Sequence, residues 1–259
     1  MYNKRGQTTI FIIIGILIVA GVLIFFFLSN EKIRNPFVSA EENPERFISI
    51  CIEKALREKL ETIMIQGGYM ENSLNKTFKF TKENKYQDIS YLCYTQNNYV
   101  SCLNQEPNLI FHLQNEVKKN IETEVRDCID QLSFSLDENG YMTETSYKDF
   151  DLKLSEEKIE INIDSKIITT KNDETREYKN FKIDVVTGIY NLGITAIEIV
   201  NQESRFCNFN YLGFMYLYPQ YGIDKFRTTD SEEIYTITYK KTNEKFRFAI
   251  RGCVISPEI

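Results

Sequence analysis

From Ile10 to Leu28 the chain runs nineteen residues without a charge or a proline, just behind Lys4 and Arg5. As a helix at about 1.5 Å per residue, such a run spans roughly 28 Å, the thickness of a bilayer's hydrocarbon core. Residues 10–28 are therefore expected to form a single transmembrane helix. Cytoplasmic flanks carry the excess of Lys and Arg, so residues 1–9 are expected to stay in the cytoplasm and the rest of the chain to be exported. A secretory signal peptide has a shorter apolar core followed by small residues at its cleavage site. Here the run ends in Phe25-Phe26-Phe27-Leu28, which favours retention as a signal anchor with the lipid bilayer as its first partner.

Only two of the 31 basic residues precede the run and all 37 acidic residues follow it, so the exported part carries a formal charge of −8. An acidic body repels phosphate, and no basic stripe with interleaved aromatics is present, so no nucleic acid partner is expected. Residues 29–43 read as a linker, because Pro36 and Pro44 bracket a charged stretch and proline inside a helix costs about 3 kcal/mol. Gly15, Ala20 and Gly21 are small, but no Gly-x-x-x-Gly spacing supports helix pairing within the membrane.

The element Lys4-Arg5-Gly6-Gln7, set directly before the apolar run, resembles the class III signal of archaeal type IV pilin-like proteins. The resemblance covers about the first 28 residues. It implies that a prepilin-type peptidase cuts between Gly6 and Gln7 on the cytoplasmic side. Phe11 falls at the fifth mature position, where many pilins carry Glu, and the linker interrupts the helix; both departures weigh against an assembled filament.

All six cysteines, Cys51, Cys93, Cys102, Cys128, Cys207 and Cys253, lie beyond the apolar run. In an exported domain an even set reads as disulfides, although six cysteines allow 15 pairings. Tyr91–Thr95 and Tyr99–Leu103 are strand-like runs, and an Asn97-Asn98 turn sets Cys93 opposite Cys102 on a non-hydrogen-bonded pair, where Cα atoms approach most closely. Cys51 and Cys128 each sit on the apolar stripe of an amphipathic helix, over Pro44–Ile65 and Leu109–Leu132, so helix pairing brings them together. Cys207 and Cys253 pair by elimination. The alternative is that Cys51 and Cys128 are buried free thiols.

From residue 141 the period becomes alternating. Phe150, Leu152 and Leu154, then Ile159, Ile161 and Ile163, alternate with polar residues as half-buried antiparallel strands do. Ser155-Glu156-Glu157 and Lys171-Asn172-Asp173-Glu174 read as turns, Lys182–Val186 as a strand and Gly188–Glu203 as a helix. Ile234–Tyr239 and Phe246–Ile250 form a final hairpin about Lys241–Glu244. The expected fold class is α+β: an N-terminal transmembrane helix, then an exported domain of amphipathic helices and antiparallel sheet over 44–259. If that domain divides, the seam falls near 133–143.

His112 is the only histidine, so any His-based catalysis would need it, yet no nucleophile is indicated nearby. Phosphate-cradling, His-Glu-x-x-His and nucleophile-elbow motifs are all missing. The acid pairs Glu41-Glu42, Glu156-Glu157 and Glu232-Glu233 read as solvated turns, and Asn75-Lys76-Thr77 is the only glycosylation sequon. No catalytic residue, metal or cofactor is expected. Between Arg205 and Tyr221 lie seven aromatics, for most of which core packing is the favoured reading; whichever of Tyr211, Phe214, Tyr216, Tyr218 and Tyr221 stay exposed form the expected contact surface.

The function expected from these features is a non-enzymatic, membrane-anchored surface protein taking part in adhesion, envelope organisation or binding of a surface protein or glycan. The rival readings are a filament subunit and an exported carboxylate enzyme.

Overall fold

The computed structural model describes residue 40, residues 43–81 and residues 83–254. The described residues all belong to one compact unit, Ala40–Ile259. The first helix, α1 (Pro44–Ile65), starts where the Asn43 side chain accepts a hydrogen bond from Arg46 N at 2.9 Å, with Pro44 in the first turn, where its missing N–H costs nothing. Ile48, Ile52, Leu56, Leu60 and Ile63 recur every three or four residues and are buried. The helix stops at Gly67-Gly68, whose φ of 77° and 97° suits glycine, and Gly68 N donates back to Ile63 O at 2.8 Å.

Helix α2 (Leu109–Glu138) buries Leu113, Val117, Ile121, Val125, Cys128 and Leu132 against α1 and the sheet. It runs six residues past the expected end because Leu136 continues the stripe, and it terminates at Gly140 (φ 81°). Residues 133–138, part of the stretch where a seam was expected if the domain divided, are thus helix.

Three strands follow in hairpin order, β4 (Met142–Ser155), β5 (Lys158–Lys171) and β6 (Glu174–Val186). The second turn holds Asn172 and Asp173 both at positive φ, the geometry that matches strand twist in a two-residue hairpin. Phe150, Leu152, Ile161, Ile163, Phe181 and Ile183 fill the inner face, while Lys158–Asp184 and Lys166–Glu177 pairs ladder the outer one.

The remaining helices are α3 (Ile189–Phe206) and the short α4 (Tyr211–Leu217). The second sheet combines β1 (Asn75–Phe78), β2 (Gln87–Tyr94), β3 (Leu103–Asn104), β7 (Tyr221–Arg227), β8 (Glu233–Tyr239) and β9 (Glu244–Arg251). Its order is β1-β2-β9-β8-β7, with β3 added to β2. One face packs on the helices through Tyr235, Ile237, Phe246 and Phe248; the other carries a satellite cluster of Ile89, Tyr91, Ile234 and Ala249.

Three expectations are corrected. The fold class is an α+β body alone: among the described residues no helix is long and apolar enough to cross a membrane. At 22 and 30 residues, α1 and α2 have the length, but charged residues line their outer faces; residues 10–28, on which the spanning helix was expected, lie outside the described residues. The second sheet is mixed, because β2 and β9 run parallel. Antiparallel β8 occupies one edge of β9, and the edge left over is filled by a strand from the other end of the chain.

The third correction concerns the hairpin register. Cys93 pairs with Asn104 rather than Cys102, and residues 95–102 form a loop instead of completing two strands. The chain's end has taken the loop's backbone groups: Tyr99 N donates to Val254 O at 3.0 Å and Cys253 N to Val100 O at 2.6 Å.

Candidate functional site

Three disulfides brace the body. Cys51–Cys128 joins α1 to α2 with Cα atoms 5.9 Å apart, and Cys93–Cys102 closes the 95–102 loop at 5.3 Å. Cys207–Cys253, at 5.9 Å, links the end of α3 to the segment beyond β9. These are the three pairs argued from the helical stripes, the hairpin and elimination, and the first cross-strand pairing survives the register change because Cys102 still lies beside the end of β2. Among the described residues no cysteine is free.

Two of these bridges have exposed apolar residues beside them in sequence. Cys207 ends α3 in the left-handed conformation (φ 54°), with its N–H donated to Glu203 O. The chain then turns into α4, where the Asn210 side chain accepts from Gly213 N at 2.9 Å and Pro219 follows the last turn. Phe209 is buried, with its ring centroid 5.5 Å from Phe214 and 6.3 Å from Tyr235. That ring enters the core and Tyr211, Phe214, Met215 and Tyr221 pack partly against it, but seven helical residues cannot turn all their side chains inward. No residue of α4 is buried; Tyr216 is 87% exposed, Leu217 71% and Leu212 64%. Beside the Cys207 bridge, Phe206 is 71% exposed, and Leu103, next to Cys102, is 73% exposed.

The aromatic stretch is therefore less buried than expected. Only Phe209 enters the core; Tyr211, Phe214 and Tyr221 are half-buried, and Phe206, Tyr216 and Tyr218 are exposed. Of the five expected contact residues, Tyr216 and Tyr218 face outward, whereas Phe214 and Tyr221 turn to each other and to Tyr218 and Tyr239. Phe206, Leu212, Leu217 and Leu103 were missed. A signal was available: from Phe206 to Ile223 there is no charged residue, in a chain of which 26% is charged. Depletion of charge with Tyr, Phe and Met enriched is the composition of interface cores.

The acids prove less solvated than expected. Glu232 and Glu233, at the start of β8, are buried, as is Glu203 on α3 at 3% exposure. Lys225 Nζ reaches Glu203 at 3.1 Å and Glu233 at 2.9 Å, Arg227 reaches Glu233 at 2.9 Å, and the Tyr235 hydroxyl donates to Glu203. Glu232 pairs with Lys76 at 2.8 Å. Strand β8 sits between two neighbours, and its acids are held by cations from β7 and β1. Glu157 pairs with Lys241 in the first hairpin turn, and Glu41-Glu42 lie outside the described residues. Two surface clefts, of about 290 and 410 Å³, are lined by other residues, Arg57, Leu60 and Met64 in one and Asn201, Arg205 and Phe206 in the other.

His112 is wedged at the α1–α2 junction, its Nε2 2.9 Å from Gly68 O and its ring 4.2 Å from that of Tyr69. A carbonyl can only accept, so Nε2 carries a proton and the ring packs as a structural clamp. Asn75 lies on β1, half-buried, its side-chain amide donating to Asn72 O, while Thr77 Oγ1 donates to Asp88. Gly6 and Gln7 lie outside the described residues. Among the described residues no group of three or more His, Cys, Asp or Glu is placed to hold a metal.

Three tyrosines are held in the neutral form. Burial, then the neighbouring carboxylate, pushes Tyr235 up (Glu203), Tyr91 up (Glu232) and Tyr69 up (Glu106) from the ordinary tyrosine value. The folded state thus keeps protons that the unfolded chain releases above about pH 10. Their contribution to stability is complete below that pH and is lost as pH rises beyond it. The urea midpoint is expected to fall steeply above about pH 10, together with late tyrosinate absorbance; a flat midpoint through the same rise would contradict it.

No family model, curated protein or solved structure matches this chain.

Proposed function

We propose that the body is the exported, disulfide-braced portion of a membrane-anchored surface protein, and that its exposed aromatic surface binds a protein partner. One observation carries this reading: Tyr216, Leu217, Leu212 and Phe206 stand in solvent within a charge-free stretch. Exposed apolar patches of this kind mark sites of association. Three disulfides support export, since such bridges persist in oxidising compartments. The tether itself follows from the sequence argument, and protease added to intact cells is expected to remove the large domain.

The contact surface is tested by photo-crosslinking in the host. A crosslinker at position 216 is expected to give one discrete protein adduct, whereas one at Val186, exposed on the three-stranded sheet, gives none. Leu212→Ser with Leu217→Ser should abolish the adduct while changing stability by no more than about 1 kcal/mol, as two surface substitutions do. Equal adducts from both positions, or an adduct that survives the double substitution, would remove the proposal, as would an adduct that proves to be carbohydrate.

A further inference from the structure

We propose that Cys207–Cys253 is a reducible latch which, when opened by a dithiol reductant, frees the chain's end and loosens the aromatic surface. The bridge differs from the other two in access. Cys207 is exposed and Cys253 half-buried, so it is the one bridge with an exposed cysteine; in the other two Cys51 is half-buried and Cys93, Cys102 and Cys128 are buried at 0–3% exposure. Thiol–disulfide exchange requires a thiolate to reach a disulfide sulfur, so access sets which bridge opens first.

What the latch holds is visible in the hydrogen bonds. Beyond β9, residues 252–254 are fastened to the 95–102 loop by the pairs Tyr99 N to Val254 O and Cys253 N to Val100 O. Gly252 lies so close to that loop that a Cβ there would stand 2.9 Å from Cys102 N. The disulfide is the covalent tie between this clamp and the end of α3. On the α3 side, residues 205–208 are all exposed, so the bridge restrains a stretch that packing does not. Opening it uncouples Phe206 and the approach to α4 from the loop that leads into Leu103 on β3.

The chemistry balances without any group beyond the reductant. A thiolate of the dithiol attacks Cys207 Sγ, forming a mixed disulfide and expelling Cys253 as a thiolate, which takes up a proton. The second thiol of the reductant displaces Cys207, so two electrons enter the protein and the reductant leaves as a disulfide.

The consequence for binding rests on the contact-surface reading; the latch itself does not. Detergent-extracted full-length protein is titrated with dithiothreitol under native conditions, alkylated and mapped by peptide mass. Cys207 and Cys253 are expected to be alkylated together at a reductant concentration at least about tenfold below that labelling the other four cysteines. Amide exchange should accelerate over 95–102 and 205–218 while β8 and β9 keep their protection. The double variant Cys207→Ser, Cys253→Ser should show the same exchange pattern without reductant. Another pair opening first, Cys93 labelled along with Cys207, or exchange unchanged after selective reduction would each overturn the latch. The crosslinking yield from position 216, measured before and after selective reduction, should change severalfold. An unchanged yield overturns the control of binding, and absence of any adduct in either state sinks the contact surface while leaving the latch standing.

Discussion

Replacing Cys51 and Cys128 together by alanine is expected to cost about 4 kcal/mol, the largest loss among the three bridges. The two residues are 77 apart in sequence, and in the loop-closure model a loop of that length restricts the unfolded chain by about 4.5 kcal/mol, against about 2.7 for the short Cys93–Cys102 loop. Little else covalent or ionic spans α1 and α2: Lys59–Glu124 at 3.0 Å is about a third exposed and adds little. The apolar stripes keep the helices packed, so the variant should still fold. At roughly 2–4 °C per kcal/mol its melting temperature should drop by about 8–16 °C. Urea unfolding of this pair and of Cys93→Ala with Cys102→Ala decides the matter. A larger loss from the short loop would show that native contacts, rather than restriction of the unfolded chain, govern these bridges.

Lys225→Met is expected to destabilise the fold by roughly 3–5 kcal/mol, the range for removing one partner of a buried ion pair. Lys225 Nζ lies between Glu203 and Glu233, which keep 3% and 9% side-chain exposure, and it stands 5.2 Å from the centroid of the Tyr235 ring. Methionine retains the stem's packing but leaves two carboxylates without their common cation; Arg227 remains for Glu233 and the Tyr235 hydroxyl for Glu203. Replacing Glu203 by leucine in the Lys225→Met background should recover part of the loss, since an apolar substitute removes the unpaired charge. A loss below about 1 kcal/mol would mean that water reaches the network and screens it.

Much of the body was legible because its signals are local. The i, i+4 stripe from Ile48 to Leu60 and the run from Leu113 to Leu132 mark α1 and α2, and alternation at Phe150, Leu152 and Leu154 marks β4. Asn172-Asp173 identifies its turn through the backbone angles these residues tolerate. Each of these signals repeats within a few residues, at the period of the element it builds. Strands β1, β3 and β7 carry no such period: β1 has four residues and β3 two, too short to repeat a pattern.

The candidate site was only half legible. That residues 205–221 are unusual follows from composition, but which rings face outward depends on Phe209 being the one that finds a core to enter. Likewise Glu232-Glu233 reads as a solvated pair until β7 folds back to bring Lys225 and Arg227 beside it and Lys76 arrives from distant β1.

The long helices, the alternating strands, the Asn172-Asp173 turn and the Cys51–Cys128 pair were written into the order of residues, since each depends on spacing along one segment or on the stripe a helix must hide. Sheet membership, the parallel meeting of β2 with β9, and the capture of loop 95–102 by the chain's end were settled only in three dimensions. An unpaired strand edge or loop backbone accepts whatever segment the packed core delivers to it, and that choice minimises unsatisfied groups over the whole body at once.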